Sequence, residues 1–469
     1  MSADSTTRST SLSRWPSVPR LTTARRNHLL VFLQLASNAA VGYVFARLLA
    51  YMFGISAEKD GFDIAYSVPF IILTLSGFVF GHAVVTAHFA RLRAANPEKL
   101  QVVFSTALNL MLVLGAGLVA VCFVIDEPLI KLLAPGLPAE TQDHARHWML
   151  LMLPLTMTLG LSTFMSAVLV AYEIPLTAES CQLVSRLGVI VWLFVAGAVC
   201  GLDEIAVALV CASVVGLAIT AFVLHRQTGL RFTLEFSPLD EHVRGMIWQG
   251  GSFMIAALAA QASTAYMRRL ATIDAIGTNA MLTYCFGLVA PLSILVGKPL
   301  ALVMGPTYVA LAAQGRYHDA RRLLVQNLTI SIGVGVTAAA LVSMFATSFI
   351  RLLYQGGSFD ESAVHTTAQM CVVCAWMLPP AIVLWVVLVP TINGKQRFLP
   401  AAIYLSGYLV QIAATASLFP VYGKNGLVIA YLLGVYLQAL LSTAVAVREC
   451  FAAGLPSVLR DQVCHEPTC

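Results

Sequence analysis

Charge-poor stretches of twenty or more residues recur along the chain from Leu29 to Val447, and no other feature narrows its folding options so far. A helix of about 20 residues is what spans the hydrocarbon core of a bilayer. Of the 469 residues only 11% are charged and 58% are hydrophobic, with a mean hydropathy of +0.81; soluble domains carry roughly 25% charged residues. One soluble core could not hide that much apolar surface. Within lipid every backbone N–H and C=O must be satisfied internally, which leaves helices or a closed barrel. The runs lack the strict alternation of barrel strands, so the chain is expected to be an all-α, polytopic membrane protein.

Six runs, at about 28–54, 64–90, 102–125, 147–172, 181–201 and 205–225, precede a polar stretch from Arg226 to Arg244. Six more follow, near 246–270, 279–311, 323–349, 366–392, 398–420 and 425–447. About twelve transmembrane helices in two six-helix lobes is the expected architecture, a duplication read from length and spacing alone. The divisions are a disordered tail at 1–26 rich in Ser, Thr, Arg and Pro, an N-lobe at 27–225, a linker at 226–245, a C-lobe at 246–448 and a tail at 449–469. The first run is too long for a signal-peptide core and is expected to be retained.

Lys and Arg set the orientation. Of the 28 in the chain, eighteen fall on the side of the N-terminus, seven on the opposite side, and Arg47, Arg186 and Lys298 within spans. Both termini are therefore expected in the cytoplasm. The net charge of +5 follows this topology rather than one soluble basic face, so no nucleic-acid partner is expected. Most of the ten cysteines lie inside apolar runs and imply no disulfide framework. Cys371 and Cys374 form a C-x-x-C without a second ligand pair, which reads as helix packing; neither metal nor cofactor is expected.

Intramembrane cations are costly, about 2.5–3.5 kcal/mol each at a helix centre, and so face a cavity, a partner or the interface. Arg47 has Tyr43 and Tyr51 four residues to either side, giving one helical face with a cation and two hydroxyls. Such a face suits a phosphate or pyrophosphate, because a guanidinium binds these groups bidentately; the other reading is an arginine that snorkels or pairs with a structural carboxylate. Lys298, in Gly297-Lys298-Pro299, lies deep in the eighth run, where Pro299 is expected to break the helix. Arg186 reads as an interfacial snorkeller. Arg268 and Arg269 end the seventh run and diverge by about 100° on a helix, so at most one of them faces a shared cavity; Arg268 is the candidate. Asp60 and Asp63 follow the first span near the outer surface, in a solvated loop or paired with an arginine. His82 and His88 read as packing histidines.

Several segments then fall into a familiar order. Ala50-Tyr51-Met52-Phe53-Gly54, Asp60-Gly61-Phe62 and Ala65-Tyr66-Ser67-Val68-Pro69 resemble the first-span signature of the MurJ (MviN) lipid II flippases, part of the multidrug/oligosaccharidyl-lipid/polysaccharide exporter superfamily. Ala134-Pro135-Gly136-Leu137, Leu353-Tyr354-Gln355-Gly356-Gly357-Ser358-Phe359, Asn393-Gly394-Lys395 and Gly423-Lys424-Asn425-Gly426-Leu427 are similar to further family segments. The resemblance implies two lobes around a central, partly hydrated cavity in the bacterial inner membrane. It also implies transport of a polyprenyl-pyrophosphate saccharide by alternating access, with membrane lipids and polysaccharide-synthesis enzymes as partners. Arg47, Tyr43, Tyr51, Lys298, Arg268 and Asp60 are the candidate substrate-binding residues.

The departures from the family are specific. Its first-span Arg-Asp pair falls on Phe45 and Ala46, its second-span arginines on Leu73 and Thr74, and its eighth-span Ala-Asp-Arg on Cys285-Phe286-Gly287. The acidic position before the second span persists as Asp60. Missing cavity charges and the lack of sequence for two further C-terminal spans favour an exopolysaccharide precursor over lipid II itself. Other readings are an exporter of a small amphipathic metabolite or drug, and a transport-inactive scaffold for polysaccharide synthesis. An enzyme is not expected, since the longest outer loop, about 126–146, is too short for an acid/base site on two substrates.

Overall fold

The computed structural model describes residues 21–75, 81–172, 174–196, 201–237, 240–392 and 398–453. Most of the two expected tails and the Asn393-Gly394-Lys395 loop lie outside these residues. The first half contains α1 (Leu21–Phe53), α2 (Ala57–Leu75), α3 (Gly81–Ala95), α4 (Leu100–Val124), α5 (Asp126–Leu133), α6 (Ala139–Met152), α7 (Pro154–Ala171), α8 (Pro175–Ala196) and α9 (Leu202–Thr228). The second contains α10 (Glu241–Asp274), α11 (Thr278–Ala313), α12 (Tyr317–Met344), α13 (Ala346–Tyr354), α14 (Glu361–Cys374), α15 (Leu378–Ile392), α16 (Leu399–Tyr422) and α17 (Lys424–Ala453). Among the described residues nine helical segments are long and apolar enough to cross a membrane. The chain is a multi-pass helical membrane protein.

Within the described residues each expected run lies on one helix or on consecutive helices, with three differences. Leu21 to Arg26, expected in the disordered tail, already belong to α1, because Leu, Ala and Arg are good helix formers continuous with the apolar run. Helix α11 runs unbroken through Pro299; proline removes one N–H, a loss that neighbouring helices tolerate in a packed membrane bundle. The segments after the third and ninth runs are not plain loops but include the short helices α5 and α13.

Those short helices expose a repeat that the sequence hides. In the first half α4 leads to α5, a turn through Gly136, then α6 and α7; in the second α12 leads to α13, a turn through Gly357, then α14 and α15. Both short helices are amphipathic. Helix α13 buries Ala346, Ile350 and Tyr354, four residues apart, while Arg351 and Leu352 are exposed. Helix α5 buries Ile130 and Leu133. The two turns also cross between halves. A Cβ at Gly136 would overlap the Thr272 carbonyl near the end of α10, and a Cβ at Gly357 would overlap the Tyr51 carbonyl near the end of α1. Gly357 has φ +55° besides, so glycine is needed there twice over. The bundle end carrying these turns is the clasp face, and the end carrying the segment between α9 and α10 is the linker face.

Burial follows the two halves. Phe62, Trp148, Met149 and Ile205 centre one core of the first half, and Phe89, Phe104 and Phe164 another, with ring centroids 5.8–6.5 Å apart. Tyr284, Tyr354, Phe359 and Val364 centre the second half. Helix α10 crosses the boundary. Its first turns bring Val243 and Met246 into the first half's core, while Met267 and Ala271 belong to the second. Asp240 fixes its start by accepting from His242 N at 2.9 Å, an N-cap worth about 1 kcal/mol.

Candidate functional site: a polar seam between the halves

Three charged residues at the start of α2 are buried where the halves meet. Lys59 is 1%, Asp60 0% and Asp63 6% exposed, so the solvated-loop reading of these residues does not hold. Across the seam, Asp60 and Asp63 meet partners at the start of α11 and on α10, more than two hundred residues away. Asp60 Oδ2 accepts from Gly277 N at 2.5 Å and Oδ1 from Ala280 N at 2.6 Å. Those amides belong to the unpaired donors at the start of α11, where the helix dipole favours an anion. One half thus caps a helix of the other.

Around this cap the remaining polar groups interlock. Lys59 Nζ lies 2.5 Å from Asp63 Oδ1 and 5.3 Å from the centre of the Tyr284 ring, a desolvated cation–π geometry. The Arg268 guanidinium donates to the Asp63 carbonyl at 3.1 Å. Tyr284 OH donates to the Gly54 carbonyl at 3.1 Å, and Tyr354 OH to the Tyr284 carbonyl at 3.2 Å. Two buried acceptors, Asp63 Oδ2 and Asn279 Oδ1, have no hydrogen-bond partner. Beside them is a cavity of about 160 Å³ lined by Arg268, Asn279, Thr264, Thr283, Phe286 and Tyr431. A cation and three hydroxyl side chains, Thr264, Thr283 and Tyr431, around one space make a site for a polar or anionic group.

The face of α1 predicted from spacing also meets the second half. Tyr43 OH donates to the Leu288 carbonyl of α11 at 2.9 Å. The Arg47 side chain, exposed to its surroundings, donates to the Leu352 carbonyl in the last turn of α13, where carbonyls lack helical donors and the dipole favours a cation. The ring of Tyr51, 58% exposed, borders the Gly356-Gly357 turn. From that turn Ser358 answers in kind: its N–H donates to the Tyr51 carbonyl and its Oγ to the Met52 carbonyl, both at 2.9 Å. The ends of α1 and α13 therefore cap one another.

Of the sequence candidates, Asp60 and Arg268 come together in the seam, and Tyr43, Arg47 and Tyr51 line up along α1 beside it. Lys298 stands apart. It is half-buried on α11, nineteen residues beyond Asn279, about 28 Å along a helix rising 1.5 Å per residue. Sequence reasoning missed Lys59, Asn279 and Tyr284 as members of the seam. The available signal was Lys59 and Asp63 at i,i+4 in a stretch otherwise apolar from Gly61 onward.

The arrangement has relatives. The family model for the lipid II flippase MurJ matches residues 49–456. The chain is 21% identical over 360 residues to a probable lipid II flippase MurJ of Aquifex aeolicus (strain VF5), covering 76% of this chain and 69% of that protein. Among solved structures it is similar to lipid II flippase MurJ in an inward closed conformation, with a TM-score of 0.71 at 16% identity over 92% of this chain and 91% of the other. It is equally similar in fold to an inward-facing multidrug resistance MATE family transporter of the MOP superfamily, with a TM-score of 0.72 at 16% identity over 90% and 96% of the two chains.

Proposed function

The chain belongs to the MurJ family of lipid II flippases, and from that premise we propose that it moves a polyprenyl-(pyro)phosphate-linked saccharide across a bacterial inner membrane by alternating access. Burying a pyrophosphate and sugars in hydrocarbon is prohibitive without cations and hydroxyls along the path. The observation that carries the reading is the seam: within the apolar packing that crosses the boundary, the halves meet at the clasp face through a set of polar contacts centred on Asp60 and Arg268 beside a polar cavity. Hydrogen bonds to charged groups contribute about 1.5–3 kcal/mol each in net terms, so exchanging them requires replacement partners in the other state.

In this reading residues 27–225 and 246–448 are the moving lobes, and the linker face, which carries most Lys and Arg, is cytoplasmic. Arg268 and Arg47 offer guanidinium groups to the phosphate, Tyr43 and Tyr51 hydroxyls to the head group, and Asp60 closes the clasp face. Lys298 serves the opposite half of the path. An exopolysaccharide precursor is the favoured cargo, because Phe45, Ala46, Leu73 and Thr74 stand where the family's cavity charges are expected. Enzymes of polysaccharide synthesis would supply and consume it.

The test reconstitutes the protein in vesicles with a fluorescent polyprenyl-diphosphate disaccharide and an external quencher of its head group. Active protein should make the shielded fraction accessible, and Arg268→Ala should not. Equal accessibility in empty and protein-containing vesicles would overturn the proposal. The likeness to a MATE transporter and the small volume of the cavity favour a second reading, export of a small amphipathic compound. That reading predicts efflux of a lipophilic dye from the same vesicles without head-group exposure.

A further inference from the structure

A second cavity lies far from the seam, on the linker face of the first half. It measures about 500 Å³ and is lined by Phe104 of α4, Met165 of α7, Leu224 and His225 of α9, and Arg231 and Phe232 of the segment joining α9 to α10. That volume is within the range of small-molecule sites. The segment itself explains how the cavity is built. After Gly229 closes α9, residues 229–237 run without helix, and an extended backbone inside a bilayer needs bonding partners.

Helix α4 supplies them from a polar stripe at i, i+4 and i+8. Gln101 pairs with both backbone groups of Arg231, at 2.5 and 3.1 Å. Ser105 accepts from Thr233 Oγ1 at 2.7 Å. Asn109 donates to the Thr233 and Glu235 carbonyls at 3.0 and 2.8 Å. From Gln101 to Asn109 is eight residues, so the segment climbs about 12 Å along an apolar membrane helix before returning to Asp240, 3.4 Å from Lys99.

With its polar edge spent on α4, the segment turns an apolar face away. Phe232, Leu234 and Phe236 alternate along it and are 53%, 86% and 54% exposed. The neighbouring surfaces of α4 and α9 are those of lipid-facing helices: Val113, Val214, Val215 and Phe222 are all exposed. Two guanidinium cations and an imidazole mark the linker-face end. The exposed side chains of His225, Arg226 and Arg231 lie there, whereas the single carboxylate of residues 229–237, Glu235, sits at the Asn109 level, nearer the middle of α4.

We propose that this cavity holds one acyl chain of an anionic phospholipid from the leaflet on the linker face, with its phosphate against Arg231 and His225. Apolar depth below and positive charge at the mouth match that amphiphile end for end. The bound lipid fastens the joining segment to α4, α7 and α9. This site is independent of the seam and of whatever the seam transports.

Native mass spectrometry of the full chain tests the assignment, with phosphatidylglycerol, phosphatidylcholine and undecaprenyl phosphate offered separately. Wild type should retain one phosphatidylglycerol in preference to phosphatidylcholine. Arg231→Gln, an exposed change that leaves the backbone bonds to Gln101 intact, should lower that retention roughly fivefold, the worth of one interfacial cation. Met165→Trp, which fills the cavity, should abolish it while the thermal transition of the lipid-free protein confirms folding. Equal retention of the two phospholipids, retention unchanged in both variants, or exclusive retention of undecaprenyl phosphate would each overturn the proposal. None of these readouts involves transport, so the flippase reading stands or falls separately.

Discussion

Asp60 and Gly277, 217 residues apart in sequence, meet at 2.5 Å across the boundary between the two halves, carboxylate oxygen to backbone amide. With the Ala280 amide at 2.6 Å, the contact makes the start of α11 dependent on a residue of α2. Replacing Asp60 by Asn removes the charge and turns a donor toward amides that are themselves donors. The expected cost is about 1–2 kcal/mol, the usual range for a lost helix cap. A Ser358→Cys reporter on the clasp face should then label faster with a membrane-impermeant maleimide. Unchanged labelling and unchanged thermal transition together would rule out a closing role for Asp60.

Gly357 should tolerate no side chain. Its φ of +55° and the Tyr51 carbonyl beside it both exclude a Cβ, so Gly357→Ala should cost upward of about 1 kcal/mol at that contact. Oxidative cross-linking of a Met52→Cys, Ser358→Cys pair reads this directly. Yield should fall sharply with the alanine present, and should fall likewise with Gly136→Ala, which disturbs the matching contact at Thr272. A drop with one glycine variant and not the other would count against their equivalence.

The Lys59–Asp63 pair separates two kinds of contribution. Removing only one partner, as in Lys59→Met, leaves a buried carboxylate uncompensated and should destabilise by about 3–5 kcal/mol. The double change Lys59→Met, Asp63→Leu should recover most of that loss, since an apolar pair of similar volume often equals a buried ion pair. Thermal unfolding in one detergent measures all three. A double variant as weak as the single one would mean that Asp63 is needed for more than its charge balance, with Arg268 the first place to look.

A further contact, outside the spans, sets a pH dependence. Arg146 Nε lies 2.7 Å from Asp126 Oδ2, and that hydrogen bond holds the Asp126 carboxyl below its usual range. A carboxylate depressed in the folded state stabilises the fold above its unfolded value, about 3.9, and loses that contribution as pH falls through the lower folded value. Wild type should therefore melt higher than Asp126→Asn at pH 7, and the gap should close on acidification below about pH 4. A gap independent of pH would assign the effect to packing of α5 on α6 instead.

The spans were legible because lipid imposes one rule on every residue in them, so apolar length alone located α4, α9 or α16. The Tyr43, Arg47 and Tyr51 face was legible from helical spacing within a single element. What stayed hidden depended on distant partners. Lys59, Asp60 and Asp63 look like loop residues until Gly277, Ala280 and Arg268 arrive from the other half. The same is true of Gln101, Ser105 and Asn109, whose partners follow 124 to 132 residues later. Two halves with little residue-level likeness nevertheless repeat the α4–α5 and α12–α13 order, since a repeat can persist in helix order after its side chains have diverged.

That repeat bears on how the clasp face would open in the proposed transport cycle. Each half supplies a tongue, the Gly136 turn or the Gly357 turn, to a slot at the end of the other half's first helix. In the proposed alternating access each tongue sits against the other half, so opening of the clasp face has to release both contacts. A covalent staple across either slot would then restrain the doorway at the clasp face.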